Sequence, residues 1–223
     1  MARTGEEKPG NVWLRPSTTR RDPLTRERIV NAAIEVLDAH GADALTVRRL
    51  AEHLGVGAAT LYGHVRTKED VLDLALDSVY AEVRTRDDHG DWRAELTGLL
   101  RAWRAALLRH PWSARILGRP QLGPHMLARE ERLYALLATA GLTGTELPDA
   151  AYALSNYVIG SVLMRIAWQE QDESARHAAA DHVSSRSDRY PTLAVYRTTR
   201  DTDWDRSFDN GLRCLLDGIT PAR

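Results

Sequence analysis

Apolar residues recur along this chain at intervals of three and four, and almost nowhere at two. Ile29, Ala33, Val36 and Leu37 share one helical face. Val47, Leu50, Ala51 and Leu54 share another, and Val71, Leu72, Ala75, Leu76 and Val79 form a longer stripe. Such spacing marks amphipathic helices, and no stretch alternates apolar and polar residues over the length of a strand. The pattern predicts an all-α chain. Thr25, Thr46 and Thr67 each stand just ahead of a stripe, where a side-chain oxygen can cap a helix N-terminus. Gly41 and Gly55 stand just behind the first two stripes, where helices stop. A third, short helix is expected from about Gly57 to His64.

The second half follows after a polar break at Asp87, Asp88, His89, Gly90 and Asp91. Leu96, Leu99, Leu100, Trp103, Ala106 and Leu107 predict a helix that His110 and Pro111 close. A short helix to Leu117 and a turn from Gly118 to Pro124 come next. Helices are then expected at His125 to Ala140, Pro148 to Gln169 and Asp203 to Leu216. On the last, Trp204, Phe208, Leu212, Leu215 and Ile219 make one seam, with Cys214 beside it as a small buried apolar group. Residues 170–189 are polar and read as a loop, after which Pro191 can open a short helix.

Composition narrows the function classes. The chain has 223 residues, 43% hydrophobic and 27% charged, enough to bury a core without covalent staples. Its single cysteine excludes a disulfide framework and a Cys-rich zinc site. No apolar run approaches the ~18 residues of a membrane span. The N-terminal arginines are not followed by the apolar stretch of a secretory signal. A cytoplasmic protein is expected. His177, Asp181 and His182 lie in a polar stretch with the histidines five apart, so no metal or other cofactor is expected. No nucleophile and base stand in a recognisable constellation, so no enzymatic activity is expected either.

The net charge of −1 hides local excesses. Residues 1–30 hold seven Arg or Lys against four acids, and residues 44–68 hold Arg48, Arg49, Arg66 and Lys68 against Glu52. A basic face on a neutral protein permits nucleic-acid binding. Residues 45–68 read LTVRRLAEHLGVGAATLYGHVRTK, a helix, a tight Gly55–Val56–Gly57 turn and a second helix. Leu61 and Val65 point inward. Ala58, Ala59, Thr60, Tyr62, Gly63 and His64 are left on the outer or leading side. In a helix-turn-helix the second helix enters the major groove by its N-terminal residues, and small residues there allow close approach.

This string, with the helix from Thr25 and the segment Lys68–Tyr80, resembles the TetR family of transcriptional regulators. The likeness covers about residues 24–80. It rests on the Leu45–Thr46–x–Arg48 opening, the Leu54–Gly55–Val56 turn, and the block Thr60, Leu61, Tyr62, His64 and Val65 with Lys68 following. The resemblance implies an N-terminal three-helix DNA-binding domain and a larger helical domain for ligand binding and dimerisation. The division expected is a flexible arm at 1–23, the helix-turn-helix domain at 24–70 and the helical domain at 71–223. The resemblance marks Arg48, Ala58, Ala59, Thr60, Tyr62, His64 and Lys68 as DNA contacts. Arg48 is the candidate for guanine, whose O6 and N7 its fork matches. Arg15, Arg20 and Arg21 of the arm are candidates for the minor groove.

The C-terminal half resembles the tetracycline repressors of that family more weakly, through Arg115–Pro120 (RILGRP) and Tyr152, Ala153, Leu154 and Ser155. The departures are informative. Where those repressors place a histidine and an acid for a magnesium–tetracycline chelate, this chain has Ile116 or Leu117, and Met164; their drug-binding asparagine aligns with Leu99. Apolar side chains cannot hold a hydrated magnesium ion. The expected effector is a bulky apolar or aromatic molecule held by Leu99, Trp103, Ile116, Leu117, Gly160, Met164 and Trp168. Leu107, Met126 and Tyr157 border the same pocket, and Arg119 and Asn156 serve as polar anchors.

The resemblance also implies a homodimer, through the Pro148–Gln169 and Asp203–Leu216 helices of two copies. A palindromic operator requires two reading heads about 34–36 Å apart, or a multiple of that. The reading is a repressor that leaves its operator when the effector binds. The alternatives are an all-α carrier or enzyme with a vestigial DNA-binding head, and a DNA-binding protein whose second half takes a protein partner.

Overall fold

Eleven α-helices, one short 3-10 helix (Ala42–Ala44) and no strand make up the regular structure of the computed structural model over its described residues, 24–84, 90–118, 122–196 and 203–219. The arm with Arg15, Arg20 and Arg21, the break at Asp87 to His89, and Arg119 lie outside the described residues.

The first three helices are α1 (Arg26–His40), α2 (Val47–Leu54) and α3 (Ala58–Tyr62). Thr25 accepts the backbone N–H of Arg28 at 3.2 Å, and Thr46 that of Arg49 at 3.1 Å, so two of the three threonines cap here. Ile29, Ala33 and Leu37 of α1 close over Leu50 of α2 and Leu61 of α3, with Leu45 and Val65 from the connections. Each fully buried Leu or Ile contributes about 1.5–3 kcal/mol.

The third threonine opens α4 (Lys68–Ala81). Thr67 accepts from Asp70 N at 3.0 Å while Asp70 accepts from Thr67 N at 3.2 Å, a reciprocal capping box. The Asp70 carboxyl is held below the usual carboxylate range, chiefly by the Arg66 N–H. Along α4, Val71, Leu72, Ala75, Leu76, Val79 and Tyr80 are all buried. So broad an apolar surface needs two neighbours: α4 packs on α1 at one side and on later helices at the other.

Those later helices are α5 (Trp92–Arg109), α6 (Pro111–Ala114), α7 (Pro124–Thr139) and α8 (Glu146–Gln169). α5 packs on both α7 and α8, with Leu96, Leu100, Trp103 and Leu107 buried between them. The α5–α6 corner reaches back to the first helix. The Asp38 carboxylate of α1 lies 2.8 Å from His110 Nδ1 and accepts the Trp112 indole N–H at 2.7 Å. Glu82, just past α4, meets the other ring nitrogen of His110 at 3.0 Å and also receives Arg109. Burial pushes the Glu82 carboxyl up, but the hydrogen bonds from Arg109 and His110 hold it below its ordinary value.

Three features complete the chain, and two differ from expectation. Residues 173–184 form a helix, α9 (Glu173–Ser184), where the sequence suggested a loop. Its side chains bury nothing; the Asp172 cap on Ser174 N at 3.0 Å and a run of alanines sustain it, so apolar periodicity had nothing to report. α10 (Pro191–Tyr196) opens on its proline. In α11 (Trp204–Gly218) the buried residues are Phe208, Leu212 and Leu216, four apart, and they lie on α8 of the same chain. Cys214, two residues from Leu212 and Leu216, is turned to the opposite side and is exposed rather than buried.

Candidate functional site

The turn between α2 and α3 is set by Gly55, at φ +66° and ψ +31°, a left-handed conformation that suits glycine. Its N–H reaches Glu52 O at 3.1 Å and the next N–H, that of Val56, reaches Ala51 O at 3.0 Å, the Schellman pattern. The chain then restarts as α3 with one buried side chain, Leu61. Ala58, Ala59, Thr60, Tyr62 and His64 are all exposed, Tyr62 by 54%. On α2, Arg48 projects into solvent, with its Nε 2.9 Å from Glu52 Oε1. Lys68 is half-buried at the first position of α4. All seven residues read as DNA contacts therefore lie on the α2–α3 unit or where the chain leaves it.

A cavity of about 240 Å³ opens between α4, α5, α7 and α8. Tyr80 of α4 and Trp103 of α5 form one wall, their ring centroids 6.3 Å apart. Leu117, Met126, Leu133, Ala151 and Ile159 supply apolar surface. Arg129 of α7 lies over the Trp103 ring, with Cζ 4.0 Å from its centroid, and 5.5 Å from that of Tyr80. Arg129 Nε and Nη1 and Trp103 Nε1 are buried with no hydrogen-bond partner. Burial pulls the Arg129 guanidinium down from its usual value and pushes the Tyr80 phenol up, the latter against the Arg129 charge and the nearby Trp103 N–H.

The residues read as effector contacts divide among four places. Trp103 and Leu117 line this cavity, as does Met126. Leu99 is buried in the α5 core and Leu107 with it, while Ile116 packs half-buried against the same core. Asn156, Gly160 and Met164 lie along a separate groove between α8 and α11, with Tyr157, Phe208 and Trp204. Met164 is 64% exposed there. Trp168 sits further along α8, its ring 6.3 Å from that of Trp204 and 5.7 Å from the Arg176 guanidinium. Among the described residues no group of three or more His, Cys, Asp or Glu is placed to hold a metal ion.

Tyr80 and Arg129 were not singled out from the sequence. Arg129 sits in the run HMLAREERLYALL, which reads as a charged surface. Its register reveals it: Arg129 is three after Met126 and four before Leu133, on the apolar face of α7.

Comparison with known proteins agrees with both halves of this architecture. Residues 29–75 match the family described as bacterial regulatory proteins, tetR family. Residues 85–222 match the tetracyclin repressor-like C-terminal domain. An HTH-type transcriptional regulator of Saccharopolyspora erythraea is 44% identical over 221 residues, spanning 97% of this chain and 94% of that protein. The HTH-type transcriptional repressor DrrR1 of Streptomyces coeruleorubidus is 34% identical over 218 residues, 92% of this chain and 80% of the other. The crystal structure of ActR from Streptomyces coelicolor in complex with actinorhodin superposes with a TM-score of 0.79 at 32% identity, over 88% of this chain and 97% of that one. With a reading head in front and a helical domain behind, each matched in turn, the chain belongs to the tetR family of bacterial regulatory proteins.

Proposed function

We propose that this chain is a cytoplasmic, non-enzymatic repressor that binds a palindromic operator as a homodimer and leaves it when a bulky aromatic effector enters the second domain. The observation that carries the reading is α4. Its capped start lies directly after the α2–α3 unit, and its last turn delivers Tyr80 to the wall of the cavity. One rigid helix, buried on two sides, thus spans the distance between reading head and cavity.

Arg48 is assigned to a base edge, Thr60, Tyr62 and His64 to phosphates or thymine methyls, and Lys68 to a phosphate. Ala58 and Ala59 allow the close approach of α3 to the groove. Trp103, Leu117, Met126 and Tyr80 are assigned to the effector. Asn156, Gly160 and Met164 are assigned instead to contact with a second copy: exposed apolar surface on α8 beside α11 suits an isologous interface. ActR, one of the structural neighbours, was solved with actinorhodin, and actinorhodin is therefore the first compound to try. The effector acts by differential affinity for two separations of the reading heads, only one of which fits the operator.

The test is a salt-dependent binding titration on DNA flanking the chain's own coding region, repeated with actinorhodin and other polycyclic aromatics. One tight site, a steep salt slope and release by an aromatic compound are expected. Equal weak binding to every fragment, or operator affinity unmoved by any compound that binds, overturns the reading.

A further inference from the structure

We infer that Arg129 and the Trp103 indole N–H form an anion-receiving end of the α4–α5–α7–α8 cavity, and that its ligand is a planar aromatic acid. The inference rests on the effector occupying this cavity, as proposed above, and adds the chemical class.

Arg129 is 8% exposed and Trp103 2%. A guanidinium does not shed its proton in a protein, so the charge stays. Buried charge is normally paired. The described residues offer Arg129 two aromatic faces, Trp103 at 4.0 Å and Tyr80 at 5.5 Å. Such faces stabilise a cation through the ring quadrupole, but they act above its plane. The hydrogen-bond donors lie in the plane, and Nε and Nη1 have no acceptor. Glu130 also lines the cavity and attracts Arg129 through space, without bonding to either nitrogen. Trp103 Nε1, near the Tyr80 hydroxyl, adds a third buried donor that completes no hydrogen bond. Three orphan donors on two residues that line one cavity ask for an acceptor, and the fixed fork beside a full positive charge favours a carboxylate or phenolate.

The rest of the cavity defines the rest of the ligand. Met126, Leu133, Ala151 and Ile159 line it with apolar surface, and Tyr134, Tyr152 and Ser155 add ring faces and hydroxyls. An apolar cavity of about 150 Å³ takes up benzene, so about 240 Å³ has room for a bicyclic ring system.

The test is calorimetry on the full-length protein with naphthalene-2-carboxylate and its neutral counterpart, naphthalene-2-carboxamide. The acid is expected to bind about tenfold or more tightly than the amide, the range of a charge-assisted hydrogen bond. Arg129→Gln should abolish that preference by weakening the acid far more than the amide, and Arg129→Lys, which keeps charge but not the fork, should retain part of it. Circular dichroism and operator binding report whether the variants fold; if Arg129→Gln does not, Arg129→Lys and the acid–amide ratio of the parent decide. Equal binding of acid and amide, a preference that survives Arg129→Gln, or no saturable heat from the acid overturns the inference. Neutral aromatics that bind and release the operator would leave the regulator reading standing without it. Acid preference in a protein that holds no operator would do the reverse.

Discussion

Asp77 on α4 accepts the backbone N–H of Met126 on α7 at 3.0 Å, and that of His125 at the same distance. These are second and third residues of α7, whose own N-cap is Gly123 and whose first residue is Pro124. A glycine cap offers no side-chain oxygen and a proline needs none for its missing N–H, so the helix is capped from its neighbour. A Cβ on Gly123 would overlap the Asp77 carboxylate. The helix that leads to the reading head is thereby latched to the helix that carries Arg129 and Met126 into the cavity.

Breaking this latch should disconnect effector from operator. Asp77→Ala and Gly123→Ala should each cost about 0.5–2 kcal/mol of stability, the value of a helix cap. Both should also shrink the drop in operator affinity caused by saturating effector. By reciprocity, operator should then weaken effector binding less. Operator titrations with and without effector measure this directly, and a drop of parental size in both variants would rule the latch out as a transmitter.

The reading head makes a separate prediction through Arg48 and Glu52, which hold each other at 2.9 Å on the exposed side of α2. An exposed pair at this spacing is worth only about 0.3–0.5 kcal/mol, so DNA can break it cheaply. Glu52→Gln should raise operator affinity about two- to fivefold at low salt, by freeing the guanidinium and removing a charge that phosphates repel. Arg48→Ala should cost about 1–3 kcal/mol and relax preference at one base pair. Lys68→Ala should weaken all sequences alike and reduce the salt slope by about 1. Indistinguishable profiles for Arg48→Ala and Lys68→Ala would remove the division of roles.

What was legible in the sequence is what is local. Thr25, Thr46 and Thr67 announce their helices because a cap bonds within three residues, and Gly55 announces a turn because its own backbone demands it. The cavity is different, since its walls come from four helices. α8 shows why: Val158 and Val162 are buried, while Leu163 and Met164 are exposed, and all four are apolar. A helix apolar on several faces does not say which face meets the core, so Met164 and Gly160 could not be separated from Ala151 and Ile159. Arg129 was hidden for the opposite reason, a charge on an apolar face that makes sense only once Trp103 and Tyr80 are seen beside it.

Acid should act through Asp205. This carboxylate receives Arg104 at 2.6 Å and Arg165 at 2.8 Å, and Arg104 first holds its pKa below the ordinary 3.8. A group whose folded pKa is depressed stabilises the fold above the unfolded value, and that stability drains as pH falls through the folded one. Stability should therefore decline below about pH 4. Asp205→Asn should lose stability at neutral pH, where Arg104 is left 7% exposed without its counter-ion, and should differ less from the parent as pH falls. Asp205 itself is largely exposed, so solvent keeps the difference modest. Urea melts at pH 3 to 7 test it, and a constant gap between the two proteins would assign the acid sensitivity elsewhere.

The α8–α11 pair should depend on a single phenol. Tyr157 of α8 donates to Phe208 O of α11 at 2.9 Å, and its ring stacks on Phe208 with centroids 5.2 Å apart. Burial pushes this phenol's pKa up. The hydroxyl reaches that carbonyl across Gly211, where any Cβ would overlap it. Gly211→Ala should force Tyr157 out and cost about 1–3 kcal/mol, as overpacking does. Tyr157→Phe alone should cost about 1 kcal/mol, the worth of one hydrogen bond. The two changes should not add: with the hydroxyl gone the alanine loses its worst contact, so the double variant should be less damaged than the sum. Because the exposed apolar surface of α8 lies along this same groove, Gly211→Ala should also weaken self-association, read by sedimentation at falling concentration. Additive losses with unchanged dimerisation would mean that Gly211 and Tyr157 act independently and that the close approach of Tyr157 is not what sets the two helices against each other.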